Sequence, residues 1–385
     1  MNREEELALI QRAKDNSAPR TTTLGEEESH SSVERYTDPE RFDLEMKSIF
    51  KTQPIAYLHA SELPGSNSFR AMSTHLGNVV FTRDDAGKVH AFFNACRHRG
   101  AKVVNEDSGC SKRLTCPYHA WSYSTKGDLL IIPDGGEGFP NVDKSTMGLK
   151  EIPCTERFGF IWLCPQAETP ENADQVLMDH LGAGAADMEW LGIDKLHVFK
   201  RSTKRWKCNW KIVSEGGLET YHFKFAHKNT IGPYFLNNSC VYDQLGNHAR
   251  VTMTTEAIKG LDKIPQEQWN LRDISHIVYG FFPETTLLVQ KEHMDWIRMI
   301  PISADETEIE ITSLIPKSAA DLSEEEVKHW QRNLDISLTT LDEDFVLGEA
   351  IQSNMRSGAN EHLTFGRNES ALRNFNELVD RTCGL

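Results

Sequence analysis

The sequence predicts an α+β protein, in which an all-β domain precedes a larger domain whose antiparallel sheet grips helices in a helix-grip-like arrangement. Three observations predict it. Between residues 51 and 165, short β-rich runs such as NVVFTR, VHAFFN and FGFIWLC alternate with Gly, Asp and Pro turns. Beyond about 205, an apparent helix through NWKIVSEGGLETYHFKFAH leads into HIVYGFFPETTLLVQ, MDWIRMIPI and ETEIEITSLIP, which read as strands. The chain then closes with a long helix from about Ser323, where Ser323 and Glu326 form a capping box. The expected division is an N-terminal arm and helix over 1–50 that packs on the larger domain, the β domain over 51–165, and the larger domain over 166–385.

Taken in order, residues 1–35 are polar, and LGEEESHSSVE reads as a mobile arm. A short helix follows through TDPERFDLEMKSIF, with Asp38 as N-cap and Pro39 in its first turn. Phe42, Met46, Ile49 and Phe50 give it one apolar face. A length of 385 residues supports two cores. The net charge of −15 would repel a phosphate backbone, which excludes a broad nucleic-acid surface. No apolar run is long enough for a membrane span. The N-terminus lacks the apolar core of a secretory signal, so a cytoplasmic location is the expectation. Eight scattered cysteines in such a chain do not form a disulfide framework.

Two constellations carry chemistry. NACRHRGAKV supplies Cys96 and His98, and TCPYHAW supplies Cys116 and His119, each pair in a loop of the β domain. A Cys₂His₂ set suits structural zinc. It also suits a [2Fe–2S] centre with two cysteines on one iron and two histidines on the other, the Rieske arrangement. One thiolate and one imidazole per loop favours the latter, because a two-iron rhomb between the loops then has like ligands on each iron. RHRG and PYHAW also match what Rieske proteins carry. Such a centre moves one electron at a time.

The second constellation is His222 and His227, with Glu219 three residues before the first. A lone helical histidine is usually surface or satisfied core, but a one-electron centre in the same chain needs something to reduce. Two imidazoles and a carboxylate make the facial triad of mononuclear non-haem iron, with three positions left open. On a helix, the i,i+5 spacing requires a bend or π-bulge. The third ligand should come from TTLDEDFVLGEAIQS, which holds Asp342, Glu343, Asp344 and Glu349. The apolar neighbours Leu341, Phe345 and Val346 make Asp344 a plausible inward carboxylate.

NACRHRGA, CPYHAWSY, NWKIVSEGGLETYHFKFAH and DFVLGEAIQ, in that order over nearly the whole length, resemble the oxygenase (alpha) component of Rieske non-haem iron oxygenases. That family includes aromatic-ring-hydroxylating dioxygenases and relatives acting on quaternary amines. The resemblance implies that Cys96, His98, Cys116 and His119 hold the cluster and that His222, His227 and Asp344 hold Fe(II). Asp344 matches because the family's helix reads Asp, then Glu five and Gln eight positions later, here Glu349 and Gln352. Glu219 matches the carboxylate that bridges a cluster histidine of one subunit to an iron histidine of the next. Most members use Asp there, and Glu occurs in relatives acting on quaternary amines such as carnitine. Gly216 and Gly217 depart from the family's pattern and weaken a helix by roughly 1 kcal/mol each relative to alanine.

The activity implied is hydroxylation, by mono- or dioxygenation, or oxidative demethylation of a small organic substrate with O₂. Electrons come from NAD(P)H through a separate reductase, with a ferredoxin in some systems, because no dinucleotide fingerprint occurs here. A head-to-tail homotrimer is implied. For a cationic substrate Tyr234, Phe235, Tyr279, Phe281 and Phe282 are the cage candidates, and Arg298 is the candidate for an aromatic acid. The rival readings are a pure electron carrier and a zinc-stabilised binding module without catalysis.

Overall fold

A computed structural model describes all 385 residues, which fall into two compact units. One comprises Phe50–His180, the other Met1–Ile49 with Leu181–Leu385. The division therefore lies at 180/181 instead of 165/166. Residues 166–180 stay with the β unit because the helix Ala173–Leu181 buries Ala173 and Leu177. Its Asp174 also receives Arg157 Nη1 at 3.2 Å.

The β unit holds three antiparallel sheets. One has four strands, Val89–Phe93, Gly77–Arg83, Ser68–Thr74 and Ser108–Cys110 in spatial order. Another is the short meander Arg113–Thr115, Ser122–Ser124 and Leu129–Ile131. The third joins Cys154–Arg157, Phe160–Leu163 and Ile55–His59. Phe92, Val103, Leu114, Trp121 and Tyr123 pack between the first two and close around Cys96 and Cys116.

The larger unit is built on a seven-stranded antiparallel sheet. Its strands are β1 (His197–Trp206), β2 (Phe235–Leu245), β3 (His248–Thr255), β4 (Ser275–Phe281), β5 (Thr285–Val289), β6 (Met294–Ser303) and β7 (Glu306–Ile315). The spatial order is β1-β7-β6-β5-β4-β3-β2. Five helices matter for the site: α1 (Arg3–Ser17), α2 (Pro39–Glu45), α3 (Trp210–Gly216), α4 (Glu324–Met355) and α5 (Ser370–Cys383). Along α4, Leu334, Ser337, Phe345, Gly348 and Gln352 are buried at helical spacing, so one stripe faces inward. No helix is long and apolar enough to cross a membrane.

Three expectations need correction. The N-terminal arm is ordered: Asn2 and Glu5 form a capping box that starts α1, and Leu9, Ile10 and Ala13 bury its apolar side. Ser29–Ser32 pairs with His362–Phe365, so the SHSS segment is a strand. The chain does not end in α4 but continues through that strand into α5. The helix expected through NWKIVSEGGLETYHFKFAH stops at Gly216. Phe223–Ala226 is a separate single turn.

α3 is held at both ends. Asn209 Oδ1 caps it by accepting from Lys211 N at 3.0 Å, and Gln352 Oε1 of α4 accepts from Asn209 N at 2.9 Å. Buried Lys211 donates to both carboxylate oxygens of fully buried Glu45 on α2 at 2.7 Å, and Trp210 Nε1 joins them at 2.9 Å. Glu215 Oε1 accepts from Tyr36 Oη at 2.6 Å and from Asn376 Nδ2 at 2.7 Å.

Burial pushes the Glu215 carboxyl up to about 7 despite those two donors. Its folded value lies above the ~4.3 of an unfolded glutamate, so its contribution to stability is complete below about pH 4 and is lost as pH rises through 7. Denaturant melts should show this group removing on the order of 1–3 kcal/mol between about pH 5 and about pH 8. Glu215→Gln should flatten that slope. An unchanged slope in the variant would show that Glu215 is ionised throughout.

Candidate metal centres

The two loops of the β unit are built alike. Gly100 N donates to Cys96 O and Ala120 N to Cys116 O, at 2.8 and 2.9 Å. Cys96 N donates to Ala101 O and Cys116 N to Trp121 O, again at 2.8 and 2.9 Å. Gly100 and Ala120, at the same place in each loop, both take positive φ, 79° and 57°. The unequal Cys-x-His and Cys-x-x-His spacings therefore sit in loops of one length and one hydrogen-bond pattern.

The thiols of Cys96 and Cys116 are buried, 4% and 1% exposed, whereas both imidazoles are half-buried. His98 Nδ1 and His119 Nδ1 face each other at 3.1 Å, and Trp121 stacks on His98 with ring centres 5.0 Å apart. Two nitrogens on one tetrahedral metal at ~2.1 Å lie roughly 3.4 Å apart, so the pair suits a single iron. Tyr123 was not singled out in the sequence. Its hydroxyl oxygen accepts from Arg97 N at 3.0 Å, which leaves its own hydrogen for Cys96 Sγ at 3.3 Å.

In the larger unit, His222 is the N-cap and His227 the C-cap of the turn Phe223–Ala226. One helical turn thus lies between the two rings, and no π-bulge is needed. His222 Nε2 and His227 Nε2 are 3.2 Å apart, and Asp344 Oδ1 of α4 lies 3.4 and 3.0 Å from them. Adjacent ligands on an octahedral ion at ~2.1 Å sit roughly 3 Å apart, so these three atoms match one face of a metal.

Each ring is held from behind. Glu219 Oε1 is hydrogen-bonded to His222 Nδ1, and its Oε2 accepts from the backbone N–H of Tyr221 and His222. Glu343 Oε2 is 2.8 Å from His227 Nδ1 and takes the Thr230 hydroxyl at 2.6 Å. A metal-bound imidazole hydrogen-bonded to a carboxylate on its other nitrogen is the usual supporting arrangement. Burial alone would depress His227, and Asp344 and Glu343 more than reverse it, so the ring is raised.

The other acidic candidates face elsewhere. Asp342 pairs with Lys204 at 2.9 Å, and Glu349 Oε1 accepts from Lys207 N at 2.9 Å. Val346, offered as a sign of burial, is 57% exposed.

The three ligand atoms border a cavity of about 290 Å³ between α3, α4 and the sheet. Its wall is mostly apolar, with Val213, Phe235, Met253, Val278, Leu288 and Phe345 among its residues, and it contains no Lys or Arg. Gly216 lines it, and a Cβ there would meet nothing within 4 Å, so this glycine opens space. Of the cage candidates only Phe235 lines the cavity. Tyr234 is 70% exposed, and Tyr279 is buried against Asp187 with its hydroxyl at 2.9 Å. Phe281 and Phe282 line a separate small cavity. Arg298 is buried with Glu284 and lies outside the lining.

Known proteins share both halves. Residues 53–151 match the model of the Rieske [2Fe-2S] domain, and 193–384 match that of the ring hydroxylating alpha subunit catalytic domain. The anthranilate 1,2-dioxygenase large subunit of Acinetobacter baylyi is 32% identical over 197 residues, 51% of this chain and 42% of that one. The glycine betaine monooxygenase oxygenase subunit of Chromohalobacter salexigens is 31% identical over 242 residues, 62% of this chain and 50% of that one. The matches thus span about half the length of these relatives or less. In fold, the chain is similar to the quaternary ammonium Rieske monooxygenase CntA in complex with L-carnitine, with TM-score 0.75 and 21% identity over 92% of this chain and 95% of that one. It is similar too to naphthalene 1,2-dioxygenase from Rhodococcus sp., with TM-score 0.74 and 18% identity over 100% and 99%. With a Rieske loop pair in one unit and a two-histidine, one-carboxylate face in the other, this chain belongs to the Rieske non-haem iron oxygenases, ring-hydroxylating alpha subunits and their relatives.

Proposed function

We propose that the chain is a terminal oxygenase that uses O₂ and electrons from NAD(P)H, delivered by a separate reductase, to hydroxylate or oxidatively demethylate a small organic substrate. The observation that carries this reading is the meeting of His222 Nε2, His227 Nε2 and Asp344 Oδ1 at the wall of an apolar cavity. In this reading those atoms hold iron, and Cys96, Cys116, His98 and His119 hold the cluster. Iron with three protein ligands supplies open positions for O₂ beside the substrate. The protein's part is to orient and to exclude water. Glu219 and Glu343 fix the two rings with Nε2 inward, Asp344 completes the face from α4, and the apolar wall keeps the substrate dry. The relatives are named for anthranilate, glycine betaine and naphthalene, and the apolar wall without Lys or Arg favours an uncharged aromatic substrate for this site.

We further propose that the working form is a homotrimer in which Glu219 links His222 of one subunit to a cluster histidine of the next. Two facts support it. Tyr221 and Phe225, beside Glu219 and His222, are 54% and 67% exposed, and the cluster histidines are half exposed while the thiols are not. Inter-subunit electron transfer is described for the quaternary ammonium monooxygenase of similar fold.

Iron and acid-labile sulfide distinguish the rivals: about three irons and two sulfides per chain for the oxygenase, two irons for a carrier, zinc without sulfide for a binding module. Asp344→Ala should abolish mononuclear iron and turnover while leaving the cluster's visible spectrum intact. An active variant would remove Asp344 from the ligand set. Glu343→Ala, by freeing His227 Nδ1, should weaken iron binding by about 10- to 100-fold. Iron titration checks this, and unchanged affinity would reduce Glu343 to a bystander. Glu219→Gln should keep both metals and lose reductase-coupled turnover. Normal coupling there would end the bridge.

A further inference from the structure

The cavity has a polar end away from the metal ligands. Ser337, Thr340 and Asp344 all line it from α4. Seven residues of helix separate Ser337 from Asp344, roughly 10 Å along the axis. Gln290, at the end of β5, lines the same region. Behind them lies Asp295 of β6, wholly buried. Its Oδ2 takes Ser337 Oγ at 2.6 Å and Gln290 Nε2 at 3.0 Å, and its Oδ1 has no partner. No cation pairs with it. Burial pushes its carboxyl up to about 6.

The hydrogen-bond inventory then decides what faces the substrate. Ser337 and Gln290 both donate to the same oxygen, Asp295 Oδ2. The Ser337 hydroxyl hydrogen points at Asp295, leaving oxygen lone pairs for the cavity. Gln290 turns its amide NH₂ to Asp295, leaving Oε1 as an acceptor. Thr340 Oγ1, buried and lining the cavity, has no partner in the chain. Polar atoms left unpaired in a buried site are costly unless a ligand satisfies them. A carboxylate there would meet the lone pairs of Ser337 and Gln290, with Asp295 behind them and no Lys or Arg in the wall, and of the three only the Thr340 hydroxyl could donate to it.

We propose that Gln290 and Ser337, set by Asp295, form with Thr340 the specificity end of this cavity, and that it takes an N–H or O–H donor on an otherwise apolar substrate and rejects carboxylates. This rests on the oxygenase reading for its biological use, but the binding preference is measurable without turnover. A substrate so held presents the carbon at its opposite end to the iron face.

The test is calorimetric binding to the full chain with its cluster, without reductant. The probes are para-substituted toluenes of similar size, all uncharged but the last: p-xylene, 4-methylaniline, 4-methylbenzyl alcohol, 4-methylacetophenone and 4-methylbenzoate. The amine and the alcohol should bind about five- to tenfold tighter than p-xylene, with the benzoate no tighter than p-xylene and the ketone, which can take the Thr340 hydroxyl, between them. Ser337→Ala should erase most of that preference for the amine and the alcohol over p-xylene. Asp295→Asn frees Ser337 and Gln290 to turn their donors inward, so the ketone should gain on the amine. Tightest binding of the benzoate or ketone to the native chain overturns the proposal. So does a donor preference that survives Ser337→Ala, which decides alone if Asp295→Asn does not fold. Failure of turnover with any of these probes bears on the oxygenase reading and not on this one.

Discussion

Everything at the proposed iron centre depends on which edge of each imidazole is held. A histidine ring free to flip offers a metal either nitrogen or neither. Here Glu219 holds His222 by Nδ1 and Glu343 holds His227 by Nδ1, so the two Nε2 atoms and Asp344 Oδ1 are left within 3.4 Å of one another. Three carboxylates converge on the two rings, and like charges that close repel unless a cation sits among them. The same carboxylates that aim the rings thus make the site favour a divalent ion over an empty pocket. Orientation and electrostatics have one source.

That arrangement requires the chain to leave α3 at a defined point, and α3 itself is fixed by burial of charge. Lys211 and Glu45 are sealed from water together, with Trp210 and Arg41 completing the hydrogen bonds of the carboxylate at 2.9 and 3.0 Å. A buried pair of this kind adds little net stability, yet removing one partner leaves an uncompensated charge and costs about 3–5 kcal/mol. The pair therefore specifies position more than it stabilises. With the helix start set by Asn209 and its face set by Lys211 and Glu215, Gly216 and Gly217 end it beside the cavity, and the following loop carries Glu219 and His222 across to α4. Gln352 and Glu349 tie α4 to the segment just before α3, which gives the Asp-x₄-Glu-x₂-Gln spacing a physical meaning. It sets the height of Asp344 relative to the loop.

Legibility followed the range of the interactions. The cluster loops are local, and their ligand types and spacing stand in the sequence within a few residues of each other. The capping boxes are local too. Ser323 with Glu326 marks the start of α4 plainly, whereas the equivalent Asn2 and Glu5 start α1 within a run of charge that resembles a solvated arm. The carboxylate on α4 was a different matter. Asp342, Glu343, Asp344 and Glu349 occupy two turns, and only the partners brought by other segments separate a surface ion pair, a ring-holder, a ligand and a backbone cap. Family spacing selected Asp344, and burial as judged from Val346 would have been a poor guide. The aromatic cage failed for a reason strand periodicity could have supplied. Val278 and His276 face the cavity, so Tyr279 and Phe281, of opposite parity on β4, face the other side of the sheet. Asp295 and Glu45 were invisible because a buried carboxylate and an exposed one look alike in sequence.

The two centres use opposite nitrogens, and the difference bears on how electrons pass between them. In the cluster loops the rings meet through Nδ1, the atom nearer the backbone, so Nε2 is the edge left at a half-exposed surface. At the iron face the rings meet through Nε2, so Nδ1 of His222 is the edge that reaches Glu219. A carboxylate offers about four acceptor positions. Glu219 uses two on backbone N–H groups and one on His222, which leaves one on an oxygen already bonded to the iron-side ring. A metal-bound cluster histidine has an Nε2–H to donate. The free acceptor on Glu219 and that outward N–H are chemically complementary, as the proposed trimer requires. Glu in place of Asp keeps that acceptor and adds one methylene to the reach.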